Sequence, residues 1–74
     1  MPKLRPLSAA EVCKILADHG FVRQRQSGSH IIMRRDLAGG DSATVPVPNK
    51  REIPKGTLKS IIDLSGLAEM LFRK

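Results

Sequence analysis

The chain has 74 residues, and 13 Lys and Arg residues against 7 Asp and Glu residues give it a net charge of +6. This length predicts one compact domain with a modest core, and a hydrophobic fraction of 41% excludes a chain too polar to fold. No apolar run approaches the roughly 18 residues of a membrane span, the residues before Leu7 do not resemble a secretion signal, and the single Cys13 excludes an internal disulfide. We therefore expect a soluble protein of the reducing cytoplasm, with no membrane partner, whose basic surface attracts phosphate-rich or acidic partners.

The first predicted element is a helix over residues 8–19. Ser8 followed three residues later by Glu11 is the pattern of a capping box. Apolar residues recur at helical spacing behind this start: Ala9, Val12, Cys13 and Leu16. Gly20 suits the left-handed residue that ends a helix.

Three strands are predicted next. Residues 21–26 and 30–35 are rich in Val, Ile and Arg and flank the turn-like residues 27–29, which favours a hairpin. In residues 43–48, apolar residues alternate with Thr and two prolines, which predicts a third strand. Because a proline cannot donate a ladder hydrogen bond, this strand either leaves the sheet around Pro46 or lies at its edge, and we favour the edge.

A second helix is predicted from Pro54 at its first position to Gly66 as its cap, followed by a short amphipathic tail helix over residues 67–72. The chain is therefore expected to have an α+β fold of helix-strand-strand-strand-helix order. Both helices cover one face of a three-stranded antiparallel sheet, and the other face is left for a partner.

The only aromatic residues, Phe21 and Phe72, are expected in the core together with Met33 and Met70. Proteins that read single-stranded RNA commonly stack its bases on exposed rings. Since no such ring is predicted here, we expect a nucleic-acid partner to be bound through its backbone, with little sequence specificity.

Basic residues fall into two groups. The hairpin group is Arg23, Arg25, Arg34 and Arg35, and the group near the second helix is Lys50, Arg51, Lys55 and Lys59. Arg23 and Arg25 are predicted to share one strand face, which Arg34 joins from the neighbouring strand. Lys55 falls in the first turn of the second helix, where free N–H groups and the helix dipole favour an anion.

Four sequence blocks carry a family resemblance: Gly20-Phe21, Gly28-Ser29-His30, Val45-Pro46-Val47-Pro48 and Pro54-Lys55-Gly56-Thr57-Leu58-Lys59-Ser60-Ile61. In this order, over nearly the whole chain, they resemble the HicA-type toxins of HicA/HicB toxin-antitoxin systems. The resemblance implies that residues 1–74 form a single domain similar to double-stranded-RNA-binding domains. It also implies an endoribonuclease that cleaves mRNA and is inhibited by a HicB-type antitoxin.

The family's catalytic histidine lies in the Gly-Ser-His block, which implies a catalytic role for His30. Gly28 would let the backbone approach RNA closely, and Ser29 would orient the ring or a phosphate. Metal-independent RNA cleavage needs a base and an acid, and a free imidazole populates both forms near neutral pH. Without the resemblance, a structural role is more common than a catalytic one for a histidine at the end of a strand. The spacing of His19, His30 and Cys13 does not suit a metal cluster, so no metal or small-molecule cofactor is expected.

Members of this family often carry a second histidine where this chain has Asn49. Because an asparagine exchanges no proton at neutral pH, we expect this protein to be slower, to have a different specificity, or to rely on Lys50 or Arg51 for charge in the transition state. The alternative function is a non-catalytic RNA-binding or antitoxin-bound interaction module. A DNA-binding regulator ranks last, since neither helix junction has the short turn of a helix-turn-helix pair.

Overall fold

A computed structural model describes residues 3–73. Its elements are α1 (Ala9–Asp18), β1 (Val22–Ser27), β2 (His30–Asp36), a 3₁₀ turn (Ala38–Gly40), β3 (Ser42–Pro48), α2 (Lys55–Ser65) and a second 3₁₀ turn (Glu69–Phe72). The expected α+β order of helix, three strands and helix is confirmed. Among the described residues, no helix is both long enough and apolar enough to cross a membrane.

Both ends of α1 have the caps that its sequence predicts. Ser8 Oγ accepts a hydrogen bond from the Glu11 N–H, and Glu11 Oε1 accepts one from the Ser8 N–H, each at 3.1 Å. His19 is the C-cap, and Gly20 follows it with φ of 93°. The capping box and the glycine stop are therefore confirmed, and helical residues begin one position after Ser8.

The sheet has the order β1-β2-β3, with both pairs antiparallel. β3 lies at an edge, as its two prolines predict. Ile31 and Met33 of β2 pair with Val47 and Val45 of β3, and all four side chains are buried. The intervening residues of β2 and β3 point to the opposite side of the sheet, which we call the open face.

Both helices pack on the side of the sheet away from the open face. Val12 and Leu16 of α1 join Leu58, Ile61 and Ile62 of α2 in one core cluster with the buried strand residues. Phe21 and Phe72 belong to this cluster, as predicted, and Met33 is 2% exposed.

The prediction that Met70 lies in the core is wrong, because its side chain is 71% exposed. The tail is a 3₁₀ helix over Glu69–Phe72, not an amphipathic α-helix. With three residues per turn, a short segment of this kind directs only about every third side chain inward. Phe72 takes the inward position, and Met70 faces outward.

The segment before α1 also belongs to the fold. Leu7 pairs with Ile53 in an isolated bridge, where the Ile53 N–H donates to the Leu7 carbonyl at 2.7 Å, and Leu4 pairs with Arg73. Leu7 and Ile53 are both buried. Consequently the connection from β3 to α2 is fixed against the start of α1.

Candidate nucleic-acid interface

The Gly28-Ser29 turn presents His30 at one end of the sheet. Ser27 and His30 pair across this two-residue turn, and Gly28 has φ of 59°, as the first central residue of a type II′ turn requires. All four residues are exposed. No atom lies within 4 Å of the position that a Cβ on Gly28 would occupy, so the turn is open to an approaching ligand.

The same end of the molecule contains the segment that follows β3. The Asn49 N–H donates to the Ser29 carbonyl at 2.7 Å, and the Lys50 carbonyl accepts from the Ala9 N–H at 2.9 Å. The N-terminus of α1 therefore adjoins the residue after Asn49. The structure thus brings exposed Lys50 and Arg51 to the end at which His30 lies.

α2 also begins near this end, since Ile53 is held against Leu7 just before α1 starts. Pro54, which was predicted to be the first helical residue, is instead the N-cap of α2, so the helix begins one position later. No side chain caps the helix there. Lys55 occupies the first turn, which contains no acidic residue. Since helix N-termini carry partial positive charge, both helices add to the positive potential at this end.

Lys55 and Lys59 line a cleft of about 480 Å³ on the helix side of the molecule. Lys3 and Arg73 line it as well, and Glu69, the one carboxylate of the lining, is paired with Arg73. The cleft therefore has a cationic wall. It lies on the helix layer, and the open face lies on the other side of the sheet.

The prediction that Arg23 and Arg25 share one strand face is wrong. Arg23 pairs with Met33 and Arg25 with Ile32, so Gln24 is an extra residue in a β-bulge. Because Met33 and Ile32 point to opposite sides of β2, their partners do too.

The open face therefore holds two of the three arginines that were predicted to share one face. Arg25 and Arg34 lie there with His30, around the buried side chain of Ile32. Arg34 Nε contacts Asp36 Oδ1 at 3.2 Å, and the two side chains are 45% and 83% exposed. Surface pairs of this kind contribute little to stability, so Arg34 can exchange this partner for another anion.

Arg35 has a structural position that the charge pattern did not predict. Its guanidinium lies over the Phe21 ring, 5.1 Å from the centroid, and its Nη1 donates to the His19 carbonyl at 3.1 Å. Arg35 follows Ile31 and Met33 at alternate positions, and this spacing alone would have assigned it to the helix side. It ties β2 to the end of α1.

A groove separates α1 from β1 on the helix side. This α1–β1 groove has a volume of about 460 Å³ and is lined by Ala9, Ala10, Cys13, Lys14, Ala17, Arg23, Ile31, Met33 and Asn49. Of these residues, Arg23 also bonds a neighbour in β1: its Nη2 donates to Gln26 Oε1 at 3.0 Å. Asn49 lines this groove. His30, in contrast, lies on the open face, because it alternates along β2 with the residues that point to that side. The two residues share one end of the sheet but belong to opposite sides of it.

Burial raises the pKa of the Cys13 thiol above its ordinary value, and the nearby Arg23 charge offsets part of that rise. The thiol is therefore favoured over the thiolate in the folded protein. We expect iodoacetamide to alkylate Cys13 at pH 7.5 at least about threefold more slowly in the folded chain than in urea.

The raised pKa of Cys13 determines the direction in which stability changes with pH. Since the folded pKa is the higher one, the stability that the neutral thiol contributes is complete below the ordinary value of 9.0 and is lost above it. Thermal unfolding from pH 7 to pH 10 should therefore show a larger alkaline loss in the parent than in Cys13→Ala. Equal losses in the two proteins would contradict the assignment to Cys13.

Across residues 3–73, no three side chains of His, Cys, Asp or Glu come together in a group that could hold a metal ion. The candidate site instead consists of one exposed imidazole, an open turn and the surrounding cations. Its geometry is compatible with binding a polyanion at the end of the sheet.

The fold is an α+β sandwich of two helices on a three-stranded antiparallel sheet, an architecture that resembles double-stranded-RNA-binding domains. A family model described as the HicA toxin of bacterial toxin-antitoxin systems matches residues 9–67. The chain therefore belongs to the HicA toxin family, and the resemblance noted in its sequence blocks is confirmed. Among curated proteins, none matches the chain.

Proposed function

We propose that this toxin is an endoribonuclease that cleaves mRNA in the cytoplasm without a metal, that His30 is its general acid or base, and that a HicB-type antitoxin inhibits it. One observation carries the proposal: His30 is exposed at an open turn, at the end of the molecule where Lys50, Arg51 and the starts of both helices meet. Family membership supports the toxin role and an antitoxin partner.

The proposed reaction uses the RNA's own 2′-hydroxyl. A base removes its proton, the oxygen attacks the adjacent phosphorus, and the bond to the 5′-oxygen breaks as an acid protonates that leaving group. The products are a 2′,3′-cyclic phosphate and a free 5′-hydroxyl. The His30 imidazole performs one of the two proton transfers. Gly28 leaves room for the backbone of the RNA, and the Ser29 hydroxyl orients the ring or the phosphate.

The proposed RNA contacts lie along the cationic surfaces of a single toxin domain, residues 1–74. They are Arg25 and Arg34 on the open face, Lys50 and Arg51 beside the turn, Lys55 and Lys59 at the start of α2, and Arg23 at the α1–β1 groove. The described surface has no aromatic platform, since Phe21 and Phe72 are buried. The contacts are therefore to phosphates and sugars, which position RNA without reading its bases.

Inhibition is proposed to occur by an acidic antitoxin that docks on the open face and shields His30. Arg25 and Arg34 give this face a charge complementary to such a partner, which favours rapid and specific association. A complex that leaves His30 fully accessible to RNA would contradict this part of the proposal.

The test is single-turnover cleavage of a long, end-labelled mRNA by the purified chain in excess EDTA. We expect new fragments whose 3′ ends carry cyclic phosphate. The matched control is the same RNA with 2′-O-methyl groups, which has no nucleophile and should stay intact while still binding. Fragments ending in a 3′-hydroxyl, or cleavage that needs an added divalent cation, would contradict the proposal.

A second candidate function is a non-catalytic RNA-binding or antitoxin-bound module. Asn49 favours it, because this side chain cannot transfer a proton and lines the α1–β1 groove, not the open face. RNA binding without any cleavage of the unmodified mRNA would establish this function in place of the first.

A further inference from the structure

The outer edge of β1 is a strand edge that no residue between 3 and 73 covers. All six residues of Val22–Ser27 are exposed, and in the described part of the chain β1 pairs only with β2. No other backbone group of residues 3–73 hydrogen-bonds to the β1 backbone. An unpaired edge of this kind presents a row of donors and acceptors to which another strand can pair.

The opposite edge of the sheet is protected. β3 contains Pro46 and Pro48, and a proline can be part of this ladder only if its nitrogen faces away from β2. The outward side of β3 therefore lacks two of its donors. β1 contains no proline, so no residue of its outward side lacks a backbone donor and a strand can be added there.

The alternation of the hairpin identifies which β1 groups point outward. Ser27 and His30 flank a two-residue turn and form a hydrogen-bonded pair, so the next pair, Gln26 and Ile31, is a non-hydrogen-bonded one. The backbone N–H and carbonyl of Gln26 consequently face the free edge. The bulge at Gln24 bends β1 but does not cover this position.

Beside the edge lies the α1–β1 groove, which can receive the side chains of an added strand. Its floor contains the apolar atoms of Ile31 and Met33, and its α1 wall is made of Ala10, Ala17 and other small residues. Alternate side chains of an added strand would enter this groove, while the others would lie over the open face beside Arg25. The edge and the groove together form a site for an extended segment with one partly apolar face.

The charges around this site indicate which class of partner can bind there. Lys14 and Arg23 line the groove and Arg25 lies on the open-face side, whereas no Asp or Glu lines the groove or occurs in β1. A second copy of β1 would oppose arginines to arginines, which is unfavourable for directly facing strand residues. RNA has no peptide groups to continue the ladder.

We propose that the outer edge of β1 and the α1–β1 groove bind an extended, acidic segment of a partner protein, which adds to the sheet as a fourth strand. The recognition combines main-chain hydrogen bonds with charge complementarity, as in other complexes formed by strand addition. This inference does not depend on RNA cleavage, because it concerns the helix side of β1 and needs no step at His30.

The test uses the full chain labelled with ¹⁵N and a capped eight-residue peptide in which Glu and Val alternate. We expect saturable binding, with the largest amide shifts and new protection from hydrogen exchange at Gln26 and its β1 neighbours. A peptide with Lys in place of Glu is the charge control and should not bind. Absence of saturable binding of the Glu peptide up to about 1 mM, the weak end of specific affinities, would overturn the proposal.

Two proline variants separate edge pairing from general surface binding. Gln26→Pro removes an outward N–H of β1, and Thr44→Pro removes an N–H on the outward side of β3, two residues before Pro46. We expect Gln26→Pro to weaken peptide binding by about tenfold or more and Thr44→Pro to change it by less than about twofold. Thermal melts identify any loss of folding, and equal weakening by two folded variants would overturn the proposal.

Two charge variants test the groove. Arg23→Glu should weaken the Glu peptide by about tenfold and improve binding of the Lys peptide, because the sign of the groove charge is reversed. Arg5→Glu makes the same change at an exposed residue outside the site and should have little effect. If 2′-O-methyl RNA protects Gln26 and displaces the peptide, or if Gln26→Pro dissociates a dimer of the chain, the proposed occupant is wrong.

Discussion

Replacing His30 with alanine is expected to slow mRNA cleavage by about 10²–10⁴-fold, the range that a general acid or base contributes. RNA affinity should change by less than about twofold, since the cations that hold phosphates remain in place. The measurement is single-turnover cleavage in EDTA at saturating protein, together with the dissociation constant of 2′-O-methyl RNA. A loss of rate with unchanged affinity would identify a residue that acts in the transition state.

The matched control is His19→Ala, which removes the other histidine of the chain. His19 Nδ1 bonds the Ile15 carbonyl at 2.8 Å at the far end of α1, a helix about 15 Å long. We expect this variant to cleave at the parental rate once its folded fraction is accounted for. Equal losses of rate in both variants, or none in His30→Ala, would refute a catalytic role for His30.

Replacing Phe72 with alanine is expected to destabilise the fold by about 3–5 kcal/mol, because the substitution leaves a cavity in a fully enclosed site. The ring is 0% exposed and joins the cluster shared by both helices and the sheet. Stability of a chain this short is of comparable size, so much of the variant should be unfolded at 25 °C. Urea denaturation followed by circular dichroism measures the loss.

Met70→Ala is the matched control, since Met70 lies two residues away and is 71% exposed. Its effect should stay within about 0.5 kcal/mol, as expected for a surface position. A similar loss of stability in both variants would show that the tail as a whole, and not the Phe72 ring, closes the core.

The elements that could be predicted are those specified by short local signals. Ser8 and Glu11 fix the start of α1, Gly66 ends α2 in the left-handed conformation, and the prolines of β3 place it at an edge. Each signal acts over a few residues and needs no tertiary partner, which is why the order and the layers of the fold could be predicted.

The predictions that are wrong concern side chains whose direction depends on the tertiary structure. Strict alternation puts Arg23 and Arg25 on one face, and nothing in their side chains signals that Gln24 is inserted as a bulge. The apolar run around Met70 is equally compatible with an α-helix or a 3₁₀ turn, and these direct its side chain differently.

The candidate site could be predicted in part. The sequence blocks predict its central residue, His30, and the Gly28-Ser29 turn. In the structure both are exposed, and His30 is the first residue of β2 after the turn. The proximity of Lys50 and Arg51 to this turn depends on the long-range bond from Asn49 to Ser29, which no local pattern encodes. The division of the cations among the open face, the groove and the cleft is likewise a property of the folded chain.

The prolines on the outward side of β3 also limit what the protein can assemble into. Open-ended filaments of β-sheet grow when each unit offers two pairable edges, one to the unit before it and one to the unit after it. A unit with Pro46 and Pro48 on one edge can be joined at the other edge only, so growth stops after a single addition. The sheet of this chain can therefore be extended from one side only and does not offer the two pairable edges of an open-ended β-filament.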